Sequence, residues 1–347
     1  KGGESLSVTK GVVSRIEIRT YAHSRMPLLS LQIDAAINNG NSGGPVIQDG
    51  KVAGVAMQTL SNAENIGHVI PVPVIEHFLK DMEDNHYDGY PIDGFFAQEM
   101  TKAIADHVGL PNANRGNYIY RVIPGSTAES SLKVGDVILS VDGNDIANDG
   151  TSLVRPGLRV HSDYFFLNHQ VGEKITYQVW RDGKEQTIAF KLNDKWLNHS
   201  LVRSPQYDKA PEYFVFGGLV FSPLTFNLIR SWGDEWYKDA PANYIHYYFY
   251  GKKEKAEEDA VVISLVLNCE MTSGYTDFQN MRVVSVNNKS VASFNQFIFL
   301  VENLADESYV RFELENGKVA MISTDENTLK LSQVMDRYNL PEDRHLN

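Results

Sequence analysis

The sequence predicts a mainly β protein made of several small domains, and three observations carry that reading. Apolar residues alternate with period two across parts of the first 75 residues, as half-buried strands require. An apolar strand closed by an Asp-Gly turn occurs near residue 132 and returns in diverged form near residue 281. The chain has 347 residues, which at roughly 150 per domain gives two or three domains.

Taken in order, Val12-Val13-Ser14-Arg15-Ile16-Glu17-Ile18 reads as a half-buried strand. Lys51-Val52-Ala53-Gly54-Val55-Ala56-Met57 follows the hairpin turn Gln48-Asp49-Gly50. Pro71 and Pro73 introduce a short helix over residues 74–83, and the polar stretch 84–89 reads as a linker. Residues 90–193 mix short strands with one helical stretch near 97–107. Inside them, Gly135-Asp136 feeds the apolar run Val137-Ile138-Leu139-Ser140-Val141 and the turn Asp142-Gly143. Met281-Arg282-Val283-Val284-Ser285-Val286-Asn287-Asn288 is the weaker echo, so the two stretches mark related units. Asn148-Asp149-Gly150-Thr151 with Arg155 reads as a structural turn, and the charged patch 251–259 as a solvated loop or helix end. The aromatics from Trp232 to Tyr250 form either an interface stripe or a helix packed on the second unit, with amphipathic spacing over 243–250. The expected domains are 1–84, 85–195 and 205–332, with 333–347 as an exposed polar tail.

Composition narrows the function. The chain carries 32 basic and 44 acidic residues, a net charge of −12, so nucleic acid and anionic membranes would repel it. At 42% hydrophobic and 11% aromatic residues it can bury several cores, which excludes wholesale disorder. No apolar run reaches the ~18–20 residues of a membrane span, and nothing at the N-terminus reads as a signal peptide. A single cysteine, Cys269, leaves no internal disulfide and no multi-cysteine metal site. Neither a metal nor an organic cofactor is expected.

The sharpest chemical signal is Asp34-Ala35-Ala36-Ile37-Asn38-Asn39-Gly40-Asn41-Ser42-Gly43-Gly44-Pro45. Flanking glycines let the backbone turn tightly, so one hydroxyl projects while successive amide N–H groups converge on a point. Such amides, from Gly40 to Ser42, can hold the oxyanion of an acyl-transfer intermediate. An ordinary glycine-rich hairpin is the plain alternative.

That motif, the earlier Gly11-Val12-Val13-Ser14 and the later Asn65-Ile66-Gly67-His68-Val69-Ile70-Pro71 resemble the Deg (HtrA) serine proteases in order and spacing. The 132–143 stretch resembles the core of a PDZ domain. Tyr213-Phe214-Val215-Phe216-Gly217-Gly218-Leu219-Val220-Phe221 resembles the branch first known from plants, with relatives in some bacteria. The resemblance implies the C-terminal part of a chymotrypsin-like double β-barrel followed by two PDZ-like α+β domains. It implies an ATP-independent serine endopeptidase acting on unfolded or damaged proteins. Ser42 is then the nucleophile, and the N–H groups of Gly40, Asn41 and Ser42 form the oxyanion hole.

A serine also needs a histidine base and a carboxylate to orient it. The resemblance puts both on an earlier barrel, and the 41 residues before Ser42 are too few to form one. The only upstream histidine, His23, lies in a loop-like stretch and does not fit as the base, and Asp34 does not fill the orienting role. The chain reads as half a protease domain with two PDZ-like domains, inactive alone. A tandem PDZ scaffold or chaperone surface carrying an inert protease remnant is the competing reading.

By the same resemblance, Ala36 lies on the floor of the primary specificity pocket, with Ile37, Ile66, Gly67 and His68 completing a small, mostly apolar site. Without a counter-charge, Lys and Arg have no support there, and small or medium aliphatic residues are favoured. PDZ domains add a peptide as an extra strand and hold its C-terminal carboxylate in a nest of backbone amides. That loop falls at Ile92-Asp93-Gly94-Phe95 in the first repeat and at Gly217-Gly218-Leu219-Val220 in the second. Asp93 stands where an aliphatic residue is usual, and a carboxylate there repels another by roughly 1 kcal/mol at 4 Å in water. Either it turns to solvent or the first repeat does not take free C-termini, which would leave them to the second. Unfolded polypeptides or peptide C-termini are the implied partners, within a trimer-based homo-oligomer. The bacterial periplasm or cell envelope is favoured as the compartment, ahead of a plant organelle or the nucleus.

Overall fold

The computed structural model describes residues 8–21, 26–37, 40–59, 66–194, 200–206, 209–303 and 307–346. The chain divides into two compact units, Lys1–Trp196 and Leu197–Asn347.

The first unit begins with five antiparallel strands: β1 (Val13–Thr20), β2 (Pro27–Ile33), β3 (Pro45–Gln48), β4 (Lys51–Thr59) and β5 (Gly67–Pro71), in sheet order β1-β2-β5-β4-β3. The predicted hairpin turn joins β3 to β4 through Asp49 and Gly50, both at positive φ (50° and 74°), as a two-residue turn between twisted strands demands. The start of β1 and the β3–β4 hairpin are less buried than their pattern suggests. Val12, Val13, Ile47 and Val52 are all exposed, and one small core gathers Ile33, Ala35 and Val69. Helix α1 (Val72–Asp81) follows, two residues earlier than the sequence suggests, because the fixed φ of Pro73 suits a first helical turn.

The expected linker is pinned rather than loose. Asp81 accepts the N–H groups of Asp88 and Gly89 at 3.3 and 2.9 Å, and the His77 ring stacks on Tyr90 at 3.9 Å. Tyr21, Met26 and Leu28 from the first sheet share one core with Tyr90, Ile119, Leu132 and Phe166 of the first repeat.

The first repeat runs through β6 (Phe95–Glu99), α2 (Lys102–Val108), β7 (Asn117–Val122), β8 (Val137–Val141), β9 (Asn144–Asp145), β10 (Thr151–Arg155), β11 (Leu158–His161), α3 (Asp163–Leu167), β12 (Lys174–Arg181) and β13 (Lys184–Lys191). The main sheet has the order β13-β12-β8-β7-β6, with β9 beside β8. The helix expected over 97–107 is therefore a strand at its start. Helix α2 begins only after Thr101, whose hydroxyl caps it by accepting the Ile104 N–H at 3.2 Å. All five residues of β8 are buried, as its unbroken apolar run implies.

The second unit contains β14 (Tyr213–Phe216), β15 (Leu219–Pro223), α4 (Phe226–Arg230), α5 (Trp236–Asp239), α6 (Ala242–Tyr250), β16 (Val261–Val266), β17 (Val283–Val286), β18 (Lys289–Ser290), α7 (Phe294–Glu302), β19 (Tyr309–Leu314), β20 (Val319–Ser323), α8 (Thr324–Tyr338) and β21 (Arg344–His345). Its sheets have the orders β16-β15-β14-β21 and β18-β17-β19-β20. A phenylalanine-rich core lies between them and α7, with Phe221 at 4.7 Å from Phe297 and 4.8 Å from Phe312. The aromatic stripe resolves into packing: Tyr244 of α6 is fully buried among Trp232, Trp236 and Leu224.

Two expectations are corrected in this unit. The charged patch is not wholly solvated, because Asp259 is buried, binds Arg203 through two contacts of 2.8 Å and accepts the Phe294 N–H. Nor are residues 333–347 a free tail. Ser323 caps α8 through the Glu326 N–H, Val334 is buried, and Arg344 and His345 pair with Phe214 and Tyr213. Among the described residues no helix is long and apolar enough to cross a membrane.

Candidate functional site

The serine motif forms a tight turn between β2 and β3. Gly40 and Gly43 hold φ of 105° and 87°, a region closed to most side chains, and a Cβ on Gly44 would sit 2.9 Å from the Asn41 carbonyl oxygen. The turn is fastened from its far side: Gly43 N–H donates to Ala56 O at 2.7 Å, and Ala56 N–H returns to Gly44 O at 2.9 Å. Gly44 N–H closes on Asn41 O at 2.9 Å. By contrast, the N–H groups of Gly40, Asn41 and Ser42 donate to no backbone acceptor among the described residues. Ser42 is exposed. Among the described residues, one exposed serine and three amides without a backbone acceptor thus share one turn, the kind of donor set an oxyanion needs.

Asp34 has a structural task, since its carboxylate accepts the Val12 N–H at 2.7 Å and leaves no room for a side chain at Gly11. His23, Asn38, Asn39 and Asn65 lie outside the described residues.

The proposed specificity residues come together only in part. Ile37 covers Gly67 so closely that a Cβ there would lie 2.8 Å from its Cδ1. Ile66 is half-buried beside them and Ala36 is exposed. His68 is a correction. Successive strand residues face opposite ways, so His68 turns from the Ile37 side, is fully buried, and meets Ser30 Oγ through Nδ1 at 3.4 Å. Burial chiefly, and then Arg19, lowers its pKa and keeps the ring neutral.

In the first repeat, β6 ends its sheet and pairs only with β7 among the described residues. The preceding loop is built from within. Ile92 N–H donates to Asp194 O at 2.9 Å, and the Asp194 carboxylate accepts Thr127 N–H and Oγ1 at 2.6 and 2.8 Å. Asp93 does not turn freely to solvent. Burial first, then the nearby Asp163 carboxylate, pushes its carboxyl well above the ordinary range. His161 Nδ1 meets Asp163 Oδ1 at 3.0 Å, a contact that raises the histidine pKa against burial. Asp194, His161 and Asp163 carry no signal that spacing could reveal, because each reaches the loop through tertiary packing.

In the second repeat the reading of Gly217, Gly218, Leu219 and Val220 as a carboxylate loop is corrected. Gly217 and Gly218 take φ of 58° and 83° and make a two-residue turn, so β14 folds straight back on β15 with Phe216 opposite Leu219 and Phe214 opposite Phe221. The other edge of β15 is held by β16, and β21 lies along β14. No edge of β15 is left for an added strand.

A serine turn of this kind on an antiparallel sheet, followed by two such repeats, defines a trypsin-like serine protease segment coupled to PDZ domains. The Trypsin family model matches residues 2–79, and PDZ domain models match 107–192 and 202–346. Within that class the chain belongs to the Deg (HtrA) family. It is 36% identical over 342 residues to "Protease Do-like 4, mitochondrial" of Arabidopsis thaliana, covering 98% of this chain and 62% of that protein. It is 34% identical to "Protease Do-like 2, chloroplastic" of the same plant, over 99% of this chain and 56% of the relative. A "Serine protease DegP homolog" of Plasmodium falciparum is 27% identical over 87% of this chain and 45% of its own length. The chain thus spans about 60% of the length of the plant relatives, from 56% to 62% for these two. Among solved structures, "HtrA-type protease AlgW with tripeptide" is 25% identical, covering 55% of this chain and 60% of that one, with a TM-score of 0.42.

Proposed function

We propose that this chain supplies the nucleophile, oxyanion hole and peptide-binding repeat of an ATP-independent serine endopeptidase that removes unfolded or damaged proteins. The observation that carries the reading is the Ser42 turn, where Ser42 is exposed and the N–H groups of Gly40, Asn41 and Ser42 meet no backbone acceptor among the described residues. A histidine takes the Ser42 proton as Oγ attacks the scissile carbonyl, and a carboxylate orients that histidine. Both come from the barrel that family members carry ahead of this segment. The tetrahedral oxyanion is then held by the three turn amides. Ala36 and Ile37 offer no charge, so cleavage follows small or medium aliphatic residues. Peptide reaches the protein along β6 of the first repeat, and the working assembly is a trimer-based homo-oligomer.

The test is Ser42→Ala in the full-length protein with its upstream barrel. Casein hydrolysis should fall by about a thousandfold or more while assembly is unchanged, as loss of a triad serine does elsewhere. Residual activity within tenfold of the parent rejects Ser42 as the nucleophile. In the same assay, cleavage dominated by Lys or Arg refutes the apolar pocket.

A further inference from the structure

The pairing of the first two strands continues past their ends, toward the serine turn. Val13 of β1 stands opposite Ile33 of β2. Beyond that pair a side chain joins the backbone in the contact: Asp34 N–H donates to Val12 O at 3.3 Å, and Val12 N–H donates to Asp34 Oδ1 at 2.7 Å. Further out, Thr9 Oγ1 donates to Ala36 O at 3.1 Å. Gly11 lets the two segments lie this close, since a Cβ there would meet Asp34 Oδ1 at 2.2 Å and Ala35 N at 2.5 Å.

The same stretch is held from its other side. Ala35 is buried with Ile33 and Val69, and Ile37 packs against that core and covers Gly67. Ala36 is exposed between these two held neighbours. Its place therefore depends on two supports, the apolar core under Ala35 and Ile37 and the 9–12 segment across Asp34 and the Ala36 carbonyl. Apolar contact has no preferred direction, whereas hydrogen bonds narrow both distance and angle. The 9–12 segment is the support that fixes how deep Ala36 stands.

We propose that Asp34 and Thr9 are positioning residues for the specificity pocket, holding Ala36 at the depth that admits a small aliphatic side chain of an extended polypeptide and excludes a larger one. The inference rests on the reading of Ser42 as nucleophile and Ala36 as pocket floor. Each residue acts through backbone: Asp34 through the Val12 amide, Thr9 through the Ala36 carbonyl. Differences of a methylene in an apolar pocket are discriminated by about ten- to two-hundredfold, and only while the walls hold their place. With a support removed, the floor recedes and the larger side chain enters.

The experiment uses the full-length protein and two fluorogenic peptides that differ only in Val or Phe before the scissile bond. Fluorophosphonate labelling of Ser42 counts competent sites, so that kcat/KM refers to folded enzyme. The parent should prefer the Val peptide. Asp34→Ala should lower the Val-to-Phe preference about tenfold. Gly11→Ala should do the same from the opposite side of the contact, because its methyl drives the Asp34 carboxylate off Val12. The double variant should be no worse than either single one, as residues sharing one contact are not additive. Asp34→Asn keeps an Oδ1 acceptor and should retain the parent preference. Equal losses on both peptides, with the preference unchanged in Asp34→Ala, assign Asp34 to stability alone and overturn the inference.

Should Asp34→Ala not fold, Thr9 decides. Thr9→Val removes one exposed hydroxyl and should lower the preference about threefold at the parent level of labelling, while Thr9→Ser restores it. An unchanged preference in Thr9→Val then overturns the inference. A parent that takes no label at Ser42 refutes the nucleophile, and one that prefers Phe refutes the small pocket; the inference falls with either. A labelled, Val-preferring parent whose variants keep its ratio overturns the inference alone.

Discussion

In the first repeat β6 ends its sheet, with Ala97, Gln98 and Glu99 exposed, whereas in the second β15 is held between β14 and β16 with four of its five residues buried. Two loops that read alike in sequence thus lead to opposite edges. The cause is local. Two glycines at positive φ let the strand before β15 fold back and pair with it. Before β6 stands a single Gly94, preceded by Asp93, and Pro91 has no N–H to offer a neighbouring strand. A glycine-plus-apolar pattern therefore marks a turn without telling whether the strand after it is left at an edge or paired on both sides.

The largest consequence concerns one phenylalanine on each of these strands, Phe221 on β15 and Phe95 on β6. Phe221 is fully buried among Phe297 and Phe312, so Phe221→Ala should cost about 4 kcal/mol in the second unit. Phe95 is half-buried against Tyr177, and Phe95→Ala should cost about half of that in the first unit, roughly 2 kcal/mol. Hydrogen exchange of core amides in each unit measures both, and equal losses would mean that the strands are equally embedded.

Next in size is the Gly-Asp turn, which the second repeat lacks. Asp136 is 2% exposed and grips Arg181 through Nε at 2.7 Å and a terminal nitrogen at 2.6 Å, while accepting the Lys133 N–H at 2.8 Å. Asp136→Ala strands that guanidinium and should cost about 3 kcal/mol. Urea titration should show the loss in the first unit alone. In the second repeat Arg282 fills the Asp136 place, and the neighbouring Glu315 instead gathers Asn243 at 2.8 Å and Tyr247 from α6.

A smaller effect depends on pH. His77 joins α1 to the first repeat, with Nε2 at 3.2 Å from Gly89 O and a buried Nδ1 that has no partner among the described residues. Burial lowers its pKa, outweighing the Gly89 contact and the nearby Asp81 and Glu173 that raise it. The neutral ring is the folded form. Its contribution is complete above the ordinary histidine value near ~6.5 and is lost as pH falls through and below it. The thermal midpoint of the first unit should fall between pH 7 and 5, and His77→Phe, which keeps the stack on Tyr90, should flatten that fall. His68, also shifted down, keeps part of it. An unchanged slope in His77→Phe would remove His77 from the account.

Much of this was legible in the sequence where chemistry is local. The Ser42 turn, the Asp49-Gly50 hairpin and the buried β8 strand each follow from a few adjacent residues. Helix α6 was visible as an amphipathic aromatic stretch. Readings failed where a partner distant in sequence decides the outcome. Phe95-Phe96-Ala97-Gln98-Glu99 has no clear period, because an edge strand buries little, and its last three residues read as the start of the following helix. The 333–347 segment looked like a tail because α8 buries few residues, although Ser323 and Glu326 spell a cap signature in plain view. Arg181 beside Asp136, and Asp194 beside Ile92, lie 45 and 102 positions away and follow only from the fold. In the second repeat the glycine pair reads as a carboxylate loop, whereas it makes the two-residue turn between β14 and β15.

The measurement that bears most directly on the contrast between the repeats is hydrogen exchange of the whole chain with and without a saturating extended heptapeptide amide. Added peptide should slow exchange at the β6 amides, Phe95–Glu99, and leave β15, Leu219–Pro223, unchanged. Protection appearing at β15 while β6 stays unprotected would contradict the account, because the peptide would then have displaced β14 from an edge described here as closed.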